Sequence, residues 1–204
     1  MKYKVLRMAT RRAGESREDF VKRWRAEHPK SAVVTLATGE IAAGSNEGGA
    51  ESPFDGMSAT YFPSERAARE AAAQFSGDIV MACDEHAMGQ KKEPQSRIKI
   101  VRTVYRRRDL THQQFKDYWL KNHSKLEDRV IAESPVQKII ATFALPEPGR
   151  DPAFDGMVEL YFGAVADIRA MFAGPIPAMM RKDEENFVQM DAPAIRVVCE
   201  EAAA

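Results

Sequence analysis

The chain has 204 residues, 44% hydrophobic and 29% charged, with 30 basic residues against 30 acidic ones. A net charge of zero leaves no electrostatic footprint for nucleic acid or for an anionic membrane surface, and no apolar run approaches the roughly 20 residues that span a bilayer. Two cysteines, Cys83 and Cys199, are too few for a disulfide framework. Because Met1-Lys2-Tyr3-Lys4 enters a strand pattern without a signal-peptide core, a cytoplasmic location with free thiols is expected.

In chain order, residues 4–10 read as a strand. A helix follows Ser16, an N-cap hydroxyl three residues before Asp19. Phe20, Trp24 and His28, spaced by four, share one helical face, and Pro29 stops the helix. A weakly marked strand near 33–42 leads into the glycine-rich stretch 44–49. Residues 56–62 read as a third strand and 64–75 as an alanine-rich helix, which continues into an acidic segment around Asp84-Glu85. A degraded last strand is placed within 87–93, and Pro94-Gln95-Ser96 reads as a linker.

The same order then returns. Lys4, Arg7, Arg11, Arg12, Phe20, Trp24, His28 and Lys30 fall, displaced by 95, on Lys99, Arg102, Arg106, Arg107, Phe115, Trp119, His123 and Lys125. Phe54-Asp55-Gly56-Met57 with Tyr61-Phe62 recurs, displaced by 100, as Phe154-Asp155-Gly156-Met157 with Tyr161-Phe162. Strands are expected at 99–105, 136–144, 156–162 and 194–200, and a helix capped by Thr111 with Gln114 carries Phe115, Trp119 and His123. A second helix spans 164–172 and runs on into the acidic segment Asp183-Glu184-Glu185. This period is too long for a solenoid repeat and fits a small domain duplicated in tandem, residues 1–94 and 95–204. The order βαββαβ is the ferredoxin-like unit, whose second sheet face needs a cover. The expected fold is therefore α+β, two tandem ferredoxin-like repeats closing a single-chain pseudo-dimeric α+β barrel, present as a monomer or a homodimer.

The stretch from Arg107 to His123, with Phe154-Asp155-Gly156-Met157-Val158-Glu159-Leu160-Tyr161-Phe162 and the acidic segment before Phe187, resembles the EthD family of the dimeric α+β barrel superfamily. The first repeat keeps Phe20, Trp24, His28, Asp55 and Gly56 but has Ala59 where Glu159 stands and Ala87 where Phe187 stands. The resemblance implies a small hydrophobic or aromatic ligand and a place in oxidative degradation, as an oxidoreductase or its accessory. Relatives in the superfamily include monooxygenases, isomerases, cyclases and haem enzymes, so the fold does not name the reaction.

Strand alternation puts Met157, Glu159 and Tyr161 toward the space between the sheets, with Val158, Leu160 and Phe162 under the helices. If Ile100, Arg102 and Val104 share that inner space, Arg102 meets Glu159, either as a closed ion pair or with Glu159 as proton acceptor or ligand anchor. His123, and less so His28, are the acid/base candidates, read as lying at helix C-termini beside a tryptophan. The alternative for each is a cap on its own helix. Arg102, Trp119, Met157, Tyr161 and Asp155, with Arg7, Trp24 and Tyr61 in the first repeat, complete the ligand-binding candidates. Met171, Met179 and Met180 suit either an adaptable lip or the core. His86 and His112 read as surface residues. No metal-ligand spacing, phosphate-binding glycine pattern or nucleophile elbow occurs. No cofactor is expected, although a haem on one helix-end histidine stays open. The second repeat is expected to hold the working pocket. If it is not an enzyme, it is a binding module for a partner oxidoreductase.

Overall fold

The computed structural model describes residues 2–39, 52–75, 79–92 and 96–202. The glycine-rich stretch 44–49, the end of the strand expected at 33–42, and Pro94-Gln95 of the expected linker lie outside them. Strands β1 (Lys2–Ala9), β2 (Val33–Ala37), β3 (Gly56–Phe62), β4 (Ile79–Gln90), β5 (Ile98–Val104), β6 (Lys138–Ala144), β7 (Gly156–Phe162) and β8 (Arg196–Glu201) close one antiparallel barrel, in the order β1-β3-β2-β8-β5-β7-β6-β4. Helix α1 (Arg17–Ala26) follows β1 and α2 (Glu65–Ala72) follows β3. After β5 come α3 (His112–Tyr118), a π-helical turn (Trp119–His123) and α4 (Ser124–Glu133), and after β7 come α5 (Val165–Ala173) and α6 (Ile176–Glu184). Among the described residues, no helix is long and apolar enough to cross a membrane.

Two seams join the halves: β2 pairs with β8 and β4 with β6. The last strand of the first half is far longer than the expected 87–93. It runs from Ile79 to Gln90, pairs with β1 over its first part and with β6 over its second, and shifts register between Ala87 and Gly89. Asp84 and Glu85 thus sit on a strand rather than after a helix. Their charges hid it, because each is buried against a lysine: Lys116 for Asp84, and Lys4, at 2.7 Å, for Glu85.

Inside the barrel, Leu6, Met8, Met57, Val101, Met157 and Cys199 form a core drawn from strands of both halves. On the outer face Ile100, Phe162 and Val198 pack on Ile168, Met171 and Ile176 of α5 and α6, while Val104 packs on Phe115, Trp119 and Phe187. The phase expected for β7 therefore holds, with Glu159 and Tyr161 inside. That for β5 is reversed: Val101 faces the interior, whereas Ile100, Arg102 and Val104 face the helices.

The repeated Phe–Trp and Asp-Gly motifs have a packing explanation. A Cβ on Gly56 would lie 2.7 Å from Trp24 Nε1 and 2.9 Å from Phe20, and one on Gly156 would lie 3.0 Å from Phe115 and 3.1 Å from Trp119. Each glycine is thus the seat of the helix aromatics. The preceding aspartate latches the end of the first strand. Asp55 accepts from the Arg11 backbone N–H at 2.8 Å and from Arg11 Nε at 2.9 Å, and Asp155 accepts from the Arg106 N–H at 3.0 Å, with Arg106 Nε also 3.0 Å from its carboxylate. His112 joins that latch at 3.3 Å and His86 packs edge-on against Phe143, so both are half-buried rather than surface residues.

Candidate functional site

One helix carries most of the site. The first-half helix α1 ends before Pro29, but the aligned residue in the second half is Ser124, whose hydroxyl donates to the Leu120 carbonyl at 2.8 Å. With no proline there, the helix continues through a π turn into α4. His123 consequently lies not at a C-terminus but mid-helix, where the helix dipole does not favour its charged form. The widened turn places Trp119, His123 and Glu127 on the side facing the sheet. A π turn is a common local device at functional positions.

Between this helix, α5, α6 and the outer face of β5–β8 lies a cavity of about 350 Å³. That volume is at the small end of the ~300–1,000 Å³ typical of ligand sites. Its walls are apolar, including Ile100, Val130, Ile139, Leu160, Met171 and Met180, and its polar groups are Arg102, His123, Glu127, Arg181, Glu184 and Arg196. Met179 packs beside this region against the hydrophobic cluster.

His123 is 3% exposed and lies 2.7 Å, Nδ1 to Oδ2, from Asp183. A carboxylate only accepts, so Nδ1 carries the proton and Nε2 keeps its lone pair. Tyr118 donates to the other oxygen of Asp183 at 3.0 Å, and the imidazole packs against Phe187 at 5.0 Å between ring centroids. Burial pushes the imidazole below its ordinary pKa, with Asp183 pulling the other way, so the ring is neutral near pH 7. Arg102 holds Glu184 with both terminal nitrogens, one at 2.9 Å. It is not the partner of Glu159, because its face of β5 looks at α6. Burial, then the Arg102 charge, pushes the Arg196 pKa down.

Glu127, missed in the sequence, is 1% exposed. Its Oε1 accepts from Trp119 Nε1 at 3.1 Å, while Oε2 has no partner. Burial raises its pKa to about 7 against the opposing Trp119 bond. The available signal was periodicity, since Trp119, His123 and Glu127 continue the four-residue spacing.

The remaining candidates sit elsewhere. Glu159 and Tyr161, with Tyr61, line a separate polar cavity of about 150 Å³ inside the barrel. There Lys99 Nζ bonds Glu159 at 2.5 Å and Glu201 at 3.0 Å, and Lys4 Nζ bonds Glu85 at 2.7 Å and approaches Glu159 at 3.6 Å. Burial alone would raise the Glu159 pKa, but Lys99 and Lys4 win and hold it at about 2. It therefore lacks the basicity of a proton acceptor near neutrality. Burial, then the Glu159 charge, raises the Tyr161 pKa. Met157 is core and Asp155 belongs to the latch.

In the first half the arginine aligned with Arg102 is stacked on aromatic rings instead. Arg7 lies over Trp24 at 4.9 Å and over Phe75 at 4.7 Å. His28 Nδ1 bonds the Trp24 carbonyl at 2.6 Å and Nε2 the Ser58 hydroxyl at 2.7 Å. His28 is thus a helix cap with both nitrogens engaged.

Residues 107–191 match the EthD domain. Among solved structures, an anthrone oxidase-like protein superposes with TM-score 0.68 at 8% identity, covering 99% of this chain and 92% of that one. A proposed monooxygenase from Lactobacillus acidophilus superposes with TM-score 0.52 at 10% identity, covering 98% and 93%. At these identities the likeness is one of fold. No curated protein matches the chain by sequence.

Proposed function

With an EthD domain over residues 107–191 as the premise, we propose that the second half binds and turns over a small aromatic compound in oxidative metabolism, with His123 moving a proton. The barrel around it is read as a single-chain pseudo-dimer of two βαββαβ repeats, a reading supported by the two seams and the repeated glycine seats. The observation that carries the function is the pairing of an apolar cavity with a neutral imidazole whose Nδ1–H is donated to Asp183.

Nε2 accepts a proton from an acidic C–H or phenolic O–H, and Asp183 stabilises the imidazolium that results. Negative charge left on the substrate oxygen is met by the guanidiniums of Arg102 and Arg196, which share the cavity. Anthrones, whose benzylic protons are acidified by a carbonyl, are a natural first class to try, given the anthrone oxidase-like neighbour. The chemistry is read as cofactor-free, and a Soret band in the purified protein would replace it with the haem reading.

The test is oxygen uptake with a panel of anthrones and naphthols. His123→Ala should lower turnover by roughly 10²–10⁴-fold, the usual worth of a positioned acid/base. His28→Ala should leave turnover within a factor of two or three. Tight binding without turnover by the unsubstituted protein would favour an accessory module serving a partner oxidoreductase, and equal losses for both histidines would overturn the assignment.

A further inference from the structure

Glu127 is a carboxyl group in an apolar wall, 1% exposed, with one oxygen bonded to the Trp119 indole and the other without a partner. A carboxylate left this way is costly unless a cation or proton joins it. No ion pair to it is formed among the described residues. The titratable groups sharing its cavity are Arg102 on β5, Arg181 and Glu184 on α6, Arg196 on β8, and His123 on its own helix; Asp128 is its sequence neighbour. Of the guanidiniums, Arg102 is held by Glu184.

Resting on the reading of this cavity as a ligand site, we infer that Glu127 holds a proton and donates it in a hydrogen bond to an acceptor oxygen of the bound compound. The cavity is thereby selective for aromatic ketones over the matching hydrocarbon or amine. Burial moves the Glu127 pKa to about 7, which keeps the proton in place in mildly acidic solution and on about half of the molecules at neutrality. Three guanidiniums in the same cavity disfavour a cationic ligand. His123 and Glu127 stand four residues apart on one helix, about 6 Å along its axis. The imidazole accepts and the carboxyl donates, so the pair recognises a compound with an acidic hydrogen at one position and a carbonyl oxygen about one ring away. Ala32 aligns with Glu127 in the first half, so this recognition belongs to the second half alone.

The inference is tested with three probes on one bicyclic skeleton: 1-tetralone, tetralin and 1-aminotetralin. Binding is measured by calorimetry at about pH 6, where the carboxyl is protonated, and at about pH 9, where it is not. The unsubstituted protein should prefer the ketone to the hydrocarbon by roughly three- to tenfold, the worth of one net hydrogen bond, and should bind the amine most weakly. The preference should fade at the higher pH. Glu127→Gln keeps an N–H donor and should retain the preference at both pH values. Glu127→Leu should lose it while still binding tetralin. Tighter binding of the amine, or an undiminished ketone preference in Glu127→Leu, would overturn the inference and leave the cavity reading intact. If none of the three probes binds, both the cavity reading and this inference fall.

Discussion

The two halves begin from the same motifs and put the aligned arginine and histidine to different uses. Arg7 and Arg102 occupy aligned positions, yet Arg7 lies between Trp24 and Phe75 while Arg102 turns to Glu184 on α6. Two sequence differences account for this. Pro29 ends α1 where Ser124 lets the second-half helix continue. The chain between α2 and β4 is only residues 73–78, whereas that between α5 and β8 is residues 174–195, long enough to hold α6 with Asp183 and Glu184. The second-half cavity is thus walled by a longer helix and by α6, both laid against the outer face of the barrel.

The largest expected effect concerns the barrel interior. There the halves share a tyrosine, a cysteine and a glutamate around each lysine, and Glu159 is the odd charge. Lys99→Met leaves Glu159 and Glu201 without their nearest cation and should cost about 3–5 kcal/mol at neutral pH, read by denaturant unfolding. Lys4→Met, which strips chiefly Glu85, should cost less. The Glu159 carboxyl is held at about 2, below its ordinary 4.5. Its stabilisation is therefore present above the ordinary value and lost as pH falls toward 2, and the gap between Lys99→Met and the unsubstituted protein should narrow in acid. Equal costs for the two lysines would break the claimed asymmetry.

Next in size is Ser124→Pro, which imports the first-half stop into the second. Proline removes the Ser124 N–H bond to the Trp119 carbonyl and should destabilise by about 3 kcal/mol or more. The reciprocal Pro29→Ser should stay within about 0.5 kcal/mol, because Pro29 is exposed and Arg7 keeps its place over Trp24. The smallest contrast is at the aromatic seats. Gly56→Ala should cost about 1–3 kcal/mol through overpacking. Gly156→Ala should cost less, because its new methyl meets neighbours at 3.0 Å rather than 2.7 Å. Thermal unfolding of the pair checks the order.

Much of this was legible in the sequence. An α+β barrel was expected and a closed eight-stranded one is present, and four-residue spacing put Trp119 and His123 on one face. What misled was burial on both sides of a strand. Ile100, Val101 and Val104 are all buried, and the more polar face of β5, with Lys99 and Thr103, is the one turned into the barrel, so alternation gives the wrong phase and Arg102 points out rather than in. Lys99 escaped notice for the complementary reason. A lysine in a strand reads as solvated, but here it is 1% exposed and held by two carboxylates. Glu127 was hidden by its type, since a glutamate on a helix reads as an outer face until its neighbours are known. Asp183 and Glu184 were visible only as an acidic run, because nothing local says that α6 folds back over β5.

The two cysteines stand at the two seams. Cys83 pairs across to Ala144 where β4 meets β6, and Cys199 to Ala37 where β8 meets β2. Burial pushes both thiols up to about 12, so neither ionises or meets an alkylating reagent while its seam is shut. The chain thereby carries its own pair of chemical clocks. The alkylation rate at each position times the opening of one junction between the halves, and the ratio of the two rates says which side of the ring parts first.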